Sequence, residues 1–193
     1  IMSRRDIEAS QKKESSAAER SQAAVSELGG SFSEASWQFP LRQRGLKMPA
    51  EAIIAGWNIV NDNQGIARME ELVIRKIRQW QPDVIVTENA SPDMQDPLAH
   101  VINQIVLAAV RRAADPKAFP DQLAVAQLAP WKVKKVFGVL PGDHTGTVTL
   151  QTSRLATRLG SSLADQAART RGLVFDRWQP SPTRLGFELL INE

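Results

Sequence analysis

The run from Trp80 to Ala114 limits what this chain can fold into more than any other stretch. It opens with Trp80-Gln81-Pro82-Asp83, where the proline–aspartate pair is a turn signal that ends a preceding helix. Val84-Ile85-Val86 follows and ends in Thr87, a β-branched run with the composition of a strand covered on both faces. A polar loop from Glu88 to Ala99 then leads into an apolar helical stretch from His100 to Ala114. In open α/β sheets ligands bind at the carboxyl ends of the strands, where this loop begins. Glu88, Asp93 and Asp96 lie there beside His100, so this junction is the candidate site.

The remaining segments extend the same pattern. Ser3 to Leu28 suits a helix closed by Gly29-Gly30, with only Ala24 to Leu28 apolar enough to dock. Trp37-Gln38-Phe39 reads as a short edge strand stopped by Pro40, and Leu41 to Gly56 as a loop. Asp62-Asn63 offers an N-cap for a helix to Trp80, in which Ile66, Met69, Val73, Ile77 and Trp80 form one apolar stripe. Arg68, Glu71, Arg75, Arg78 and Gln79 fall on its other face.

Downstream, Pro97 suits the first turn of the helix that carries His100, and Ala113-Ala114-Asp115-Pro116 ends it. Phe119 to Pro130 is a loop with room for one helical turn, and Val133 to Val139 is a strand. Asp143 to Gly146 is a turn, and Thr147 to Leu150 a short strand. A helix capped by Thr152 or Ser153 would carry Leu155, Leu159 and Leu163 on one face and stop at Gly172. Gly186 to Ile191 is the last strand. Alternating helices and strands predict an α/β, Rossmann-like fold, a mainly parallel sheet with helices on both faces. Asp83 to Thr87 should be a central strand, parallel to Val133 to Gly138.

Composition narrows the chemistry. The 193 residues are enough for one domain with a core, and none of the apolar runs is long enough to cross a bilayer. A net charge of +3, with scattered Lys and Arg, gives no indication of a nucleic-acid surface. Without cysteine, metal ligands come only from Asp, Glu and the two histidines. A single histidine in the first turn of a buried helix is more often a hydrogen-bonded, half-buried group than a metal ligand. His144, in a turn, should lie away from the candidate edge with no partner for metal binding.

The stretch RQWQPDVIVTENASPDMQDPLAHVINQIVLAAVRRAADP resembles the zinc-dependent de-N-acetylases of the LmbE/PIG-L family. There a Pro-Asp-hydrophobic strand ending in Thr leads to a loop with a His-x-x-His pair and an Ala-rich helix. FPDQLAVAQLAPWKVKKVFG, VTLQTSRLATRLGSSLADQAARTRGL and ERSQAAVSELGG are similar to further parts of that family. The resemblance covers about Arg4 to Leu190 and implies one domain over 1–193.

It also implies His100 as a zinc ligand, with Thr87, Glu88, Asn89, Asp93 and Asp96 contributing to substrate binding. The substrate class would be an N-acetylated amino sugar or its conjugate. Two motifs depart from the family. No Ala-His-Pro-Asp-Asp segment is matched, and Pro97 stands at the first position of the His-x-x-His pair, which helps to polarise the scissile carbonyl. The expectation is a domain incomplete at its N-terminus. It assigns no catalytic residue, and holds zinc only if other ligands are supplied. A degenerate, non-catalytic member of the fold that binds a ligand or partner is the alternative. An exposed sheet edge would favour homo-oligomers. The compartment is unknown, with the cytoplasm favoured.

Overall fold

The computed structural model describes residues 17–34, 36, 38–39, 48–88, 97–142, 144–174 and 180–193. The chain divides into two compact units: Ile1–Met48 with Leu150–Arg184, and Pro49–Thr149 with Leu185–Glu193.

The second unit contains the Trp80–Ala114 run. Helix α2 (Ala50–Val60) and helix α3 (Gly65–Trp80) precede strand β1 (Val84–Thr87). Helix α4 (Pro97–Ala113) and the short α5 (Pro120–Ala124) then lead to strand β2 (Lys135–Val139). β1 and β2 pair in parallel, with Val84 opposite Lys135 and Thr87 opposite Gly138. Strand β6 (Arg184–Asn192) runs antiparallel to β2, with an irregularity between Val136 and Phe137. Strand β3 (Val148–Gln151) pairs with β6, giving the order β1-β2-β6-β3.

Ile74 and Ile77 from α3, Ala109, Val110 and Ala113 from α4, and Val133 and Val136 form the core, with Ile85 and Ile191 packed against it. One face of the sheet therefore rests on α3 and α4. The parallel pairing expected of Asp83–Thr87 and Val133–Gly138 is present.

The α/β class holds, but the described sheet is mostly antiparallel rather than mainly parallel. The reason is local: a parallel pair needs a crossover, which only the α4 segment provides between β1 and β2. β1 is also an edge strand rather than a central one among the described residues. Val84 and Val86, expected to be covered, are 50% and 56% exposed, because they share the face turned away from the core.

The helices differ from expectation in detail. Residues 50–56, expected in a loop, are helical, and Trp57 is fully buried. Asp62 and Asn63 do not cap α3; both adopt positive φ in the turn before it. The Asn58 side chain instead accepts the Gly65 N–H at 2.9 Å. On α3 the buried side is Met69, Ile74, Ile77 and Arg78, while Trp80 and Ile66 are exposed. The stripe is rotated because α3 faces both α2 and α4.

In the first unit, helix α1 (Ala17–Glu27) lies against helix α6 (Leu163–Val174). Gly29, at φ +82, closes α1 as expected, and the Gly30 N–H reaches the Val25 carbonyl at 2.8 Å. Gln38 and Phe39 form a turn and bend rather than a strand, with Phe39 buried. Residues 155–162, expected in a helix, form a two-stranded ribbon of β4 (Leu155–Ala156) and β5 (Ser161–Ser162). Thr152 cannot serve as a cap, because its hydroxyl donates to the Pro182 carbonyl and its N–H to Thr183. Gly172 lies inside α6 rather than beyond it.

Candidate functional site

Thr87 ends β1 with its side chain buried, and its hydroxyl has no hydrogen-bond partner among the described residues. A buried hydroxyl without a partner is costly, so such groups are uncommon and often mark a ligand position. Glu88 follows, exposed, and its carbonyl accepts a 2.8 Å hydrogen bond from the Asn103 side chain. Asn103 is fully buried on α4. One amide thus fixes the exit of β1 to the helix that carries the histidine.

His100 occupies the first turn of α4, half-buried, one turn before Asn103. The N-terminal turn of a helix carries the positive end of its dipole and unbonded N–H groups. The structure thus brings Thr87, Glu88 and His100 to one edge of the sheet. Asn89, Asp93 and Asp96 lie outside the described residues.

His144, expected away from the site, lies with its backbone against Gly186 of β6, and β2 stands between β6 and β1. β2 is parallel to β1, and Gly138 is level with Thr87, so the chain beyond β2 leaves by the edge at which β1 ends. His144 follows there, exposed, with its Nδ1–H donating to the Pro141 carbonyl.

Two more residues stand apart from the sequence reading, which places Arg78 on the polar face of α3 and does not single out Asn103. Arg78 and Asn103 are each almost wholly buried and polar. For Arg78 a signal existed: it stands at i+4 and i+1 from Ile74 and Ile77, on the buried side of α3. Asn103, three residues after His100, had no such signal.

The described residues do not by themselves fit a catalytic zinc ion, which takes three protein ligands. Among them, no three His, Cys, Asp or Glu side chains cluster. No hydrolytic step through a metal is derived from them.

No protein family matches the chain by sequence, and no curated protein is similar to it. Among solved structures it is similar to N,N'-diacetylchitobiose deacetylase from Pyrococcus horikoshii, complexed with its inhibitor MPG. The TM-score is 0.56 at 14% identity, over 89% of this chain and 62% of that one. At this identity the likeness is one of fold: the α/β fold of this chain is similar to that of the deacetylase. It spans 62% of the length of the protein it matches.

Proposed function

We propose that this chain carries a de-N-acetylase-like domain that recognises an N-acetylated amino sugar or its conjugate at the carboxyl edge of β1. The observation that supports the reading best is the buried Thr87 hydroxyl at that edge, without a partner among the described residues, in a fold similar to a chitobiose deacetylase. Thr87 would hydrogen-bond the acetamido group, and Glu88 would accept from sugar hydroxyls. Asn89, Asp93 and Asp96 follow in the same loop and would extend these contacts. His100 would supply one zinc ligand, with zinc held only where further ligands complete the set.

A second reading has its own observation. Pro97 opens α4 where the family carries the histidine that polarises the scissile carbonyl. A site that keeps its recognition groups but lacks that donor binds without hydrolysing, because the developing oxyanion is left without stabilisation.

Saturation-transfer NMR with an N-acetylglucosamine conjugate tests the common ground of both readings. Transfer to the acetyl methyl group is expected, weakened in Thr87→Val and in Glu88→Ala. No transfer in the parent chain, or transfer indifferent to both substitutions, would remove this edge as the binding site.

A further inference from the structure

The β4–β5 ribbon in the first unit has a composition that the sugar-binding reading does not use. Leu155 opposes Ser162, and Ala156 opposes Ser161. The four-residue turn between the strands closes through Gly160 at φ +65, whose N–H reaches the Ala156 carbonyl. Leu155 and Leu159 are 62% and 52% exposed, and Leu163, just beyond the ribbon, is 41% exposed. Single exposed leucines are ordinary, but three within nine residues on one short ribbon and its exit form a cluster. Arg154 and Arg158 precede two of these leucines and are themselves exposed. Neither forms an ion pair among the described residues.

Charge decides what such a cluster would meet. The segment Leu150–Arg184 has six arginines against two aspartates and no glutamate. One of those aspartates, Asp165, is already bonded to Ser162. An anionic surface that also accepts aliphatic side chains complements these groups. A stable protein interface needs about 800 Å² from each side, more than a ribbon with two-residue strands presents. A bilayer surface asks for no matching shape: aliphatic tips enter the headgroup region while arginines pair with acidic headgroups above them.

We propose that the β4–β5 ribbon is a contact for an anionic lipid surface, with Leu155 and Leu159 entering it and Arg154 and Arg158 binding its headgroups. Co-sedimentation of the full chain with phosphatidylcholine vesicles, with and without phosphatidylserine, tests this. Binding is expected only when phosphatidylserine is present. It should weaken at least tenfold in Leu155→Ser/Leu159→Ser and in Arg154→Glu/Arg158→Glu.

Because the chain has no cysteine, Leu159→Cys can carry a single polarity-sensitive fluorophore. Its emission should shift to the blue on phosphatidylserine vesicles, while the same label at Ala126→Cys in the other unit should not respond. Absence of binding, or binding unchanged by the leucine pair, would overturn the proposal. So would an unshifted label, or a vesicle-free dimer that the leucine pair abolishes.

Discussion

Arg78 directs all three guanidinium nitrogens at the C-terminal end of α4 and the chain that follows it. Nε donates to the Ala113 carbonyl at 3.2 Å, and one terminal nitrogen to the Gln122 side chain at 3.2 Å. The other donates to the carbonyls of Asp115 at 2.8 Å and Ala118 at 2.9 Å. These carbonyls belong to the C-terminal end of α4 and the turn beyond it, where the helix supplies no i+4 donors of its own and the dipole is negative. Burial pulls the guanidinium below its ordinary pKa and nearby Asp115 opposes that shift. It stays charged at neutral pH. Arg78→Ala would take the donor from the Ala118 carbonyl and the Gln122 side-chain oxygen, while the Ala113 and Asp115 carbonyls keep the Trp131 and Ala118 N–H groups, and should cost about 3 kcal/mol in urea unfolding. Arg78→Lys should rescue little, because an ammonium cannot span the fork. If Arg78→Ala unfolds at the parent urea midpoint, the clamp does not hold the fold. Thr87 gives the opposite sign. Thr87→Val removes a hydroxyl with no partner among the described residues at nearly constant shape, so stability should be unchanged or rise by up to about 1 kcal/mol while sugar binding falls. A marked loss of stability would show that the hydroxyl is bonded within the protein.

Between elements, contact distances decide. Gly65 begins α3 so close to α2 that an added Cβ would stand 2.7 Å from the Trp57 Cβ, an approach only glycine permits. Gly65→Ala should destabilise the second unit by about 1–3 kcal/mol, read from thermal unfolding, and an unshifted midpoint would refute this spacing. In the first unit, α6 starts with a capping box. The Asp165 N–H donates to Ser162 Oγ at 3.1 Å, and the Ser162 N–H donates back to Asp165 at 3.2 Å. Hydrogen bonds from the Ser162 side chain and backbone hold the Asp165 carboxyl below its ordinary value, with a smaller contribution from Arg169. The folded state therefore favours the carboxylate. Its stabilisation is present above the unfolded-state pKa of about 4 and is lost as pH falls through the lower folded value. Asp165→Asn should melt earlier than the parent at pH 7, and the gap should close in acid; a gap constant with pH would sink this. The Ser162–Asp165 pattern was there to be read, as were β1, α4, β2 and β6, whose apolar runs are bounded by proline, glycine or aspartate. The ribbon was not, because Leu155, Leu159 and Leu163 imitate a helical stripe and only Gly160 at positive φ breaks it. Nor was the antiparallel return of β6, since a strand's composition does not show its direction.

For the molecule as a whole, the central question is what its histidines can do without more ligands. His100 is fixed in the first turn of α4, and His144 leaves β2 by the same edge of the sheet. Among the described residues no three donors cluster, whereas a catalytic zinc takes three protein ligands and keeps a water at the fourth position. Carboxylates such as Asp96 could orient an imidazole but would not replace missing ligands. Residues 1–193 alone should therefore bind zinc weakly and should not hydrolyse N-acetylglucosamine conjugates, while still binding them. Calorimetric titration with zinc, run beside an acetate-release assay, measures both. What zinc affinity exists should fall in His100→Ala. A similar fall in His144→Ala would place both rings on one ion, and no change would leave His144 to its bond with Pro141. Tight, stoichiometric zinc binding that depends on His100, together with acetate release, would overturn the prediction and show that residues beyond the described ones complete the site.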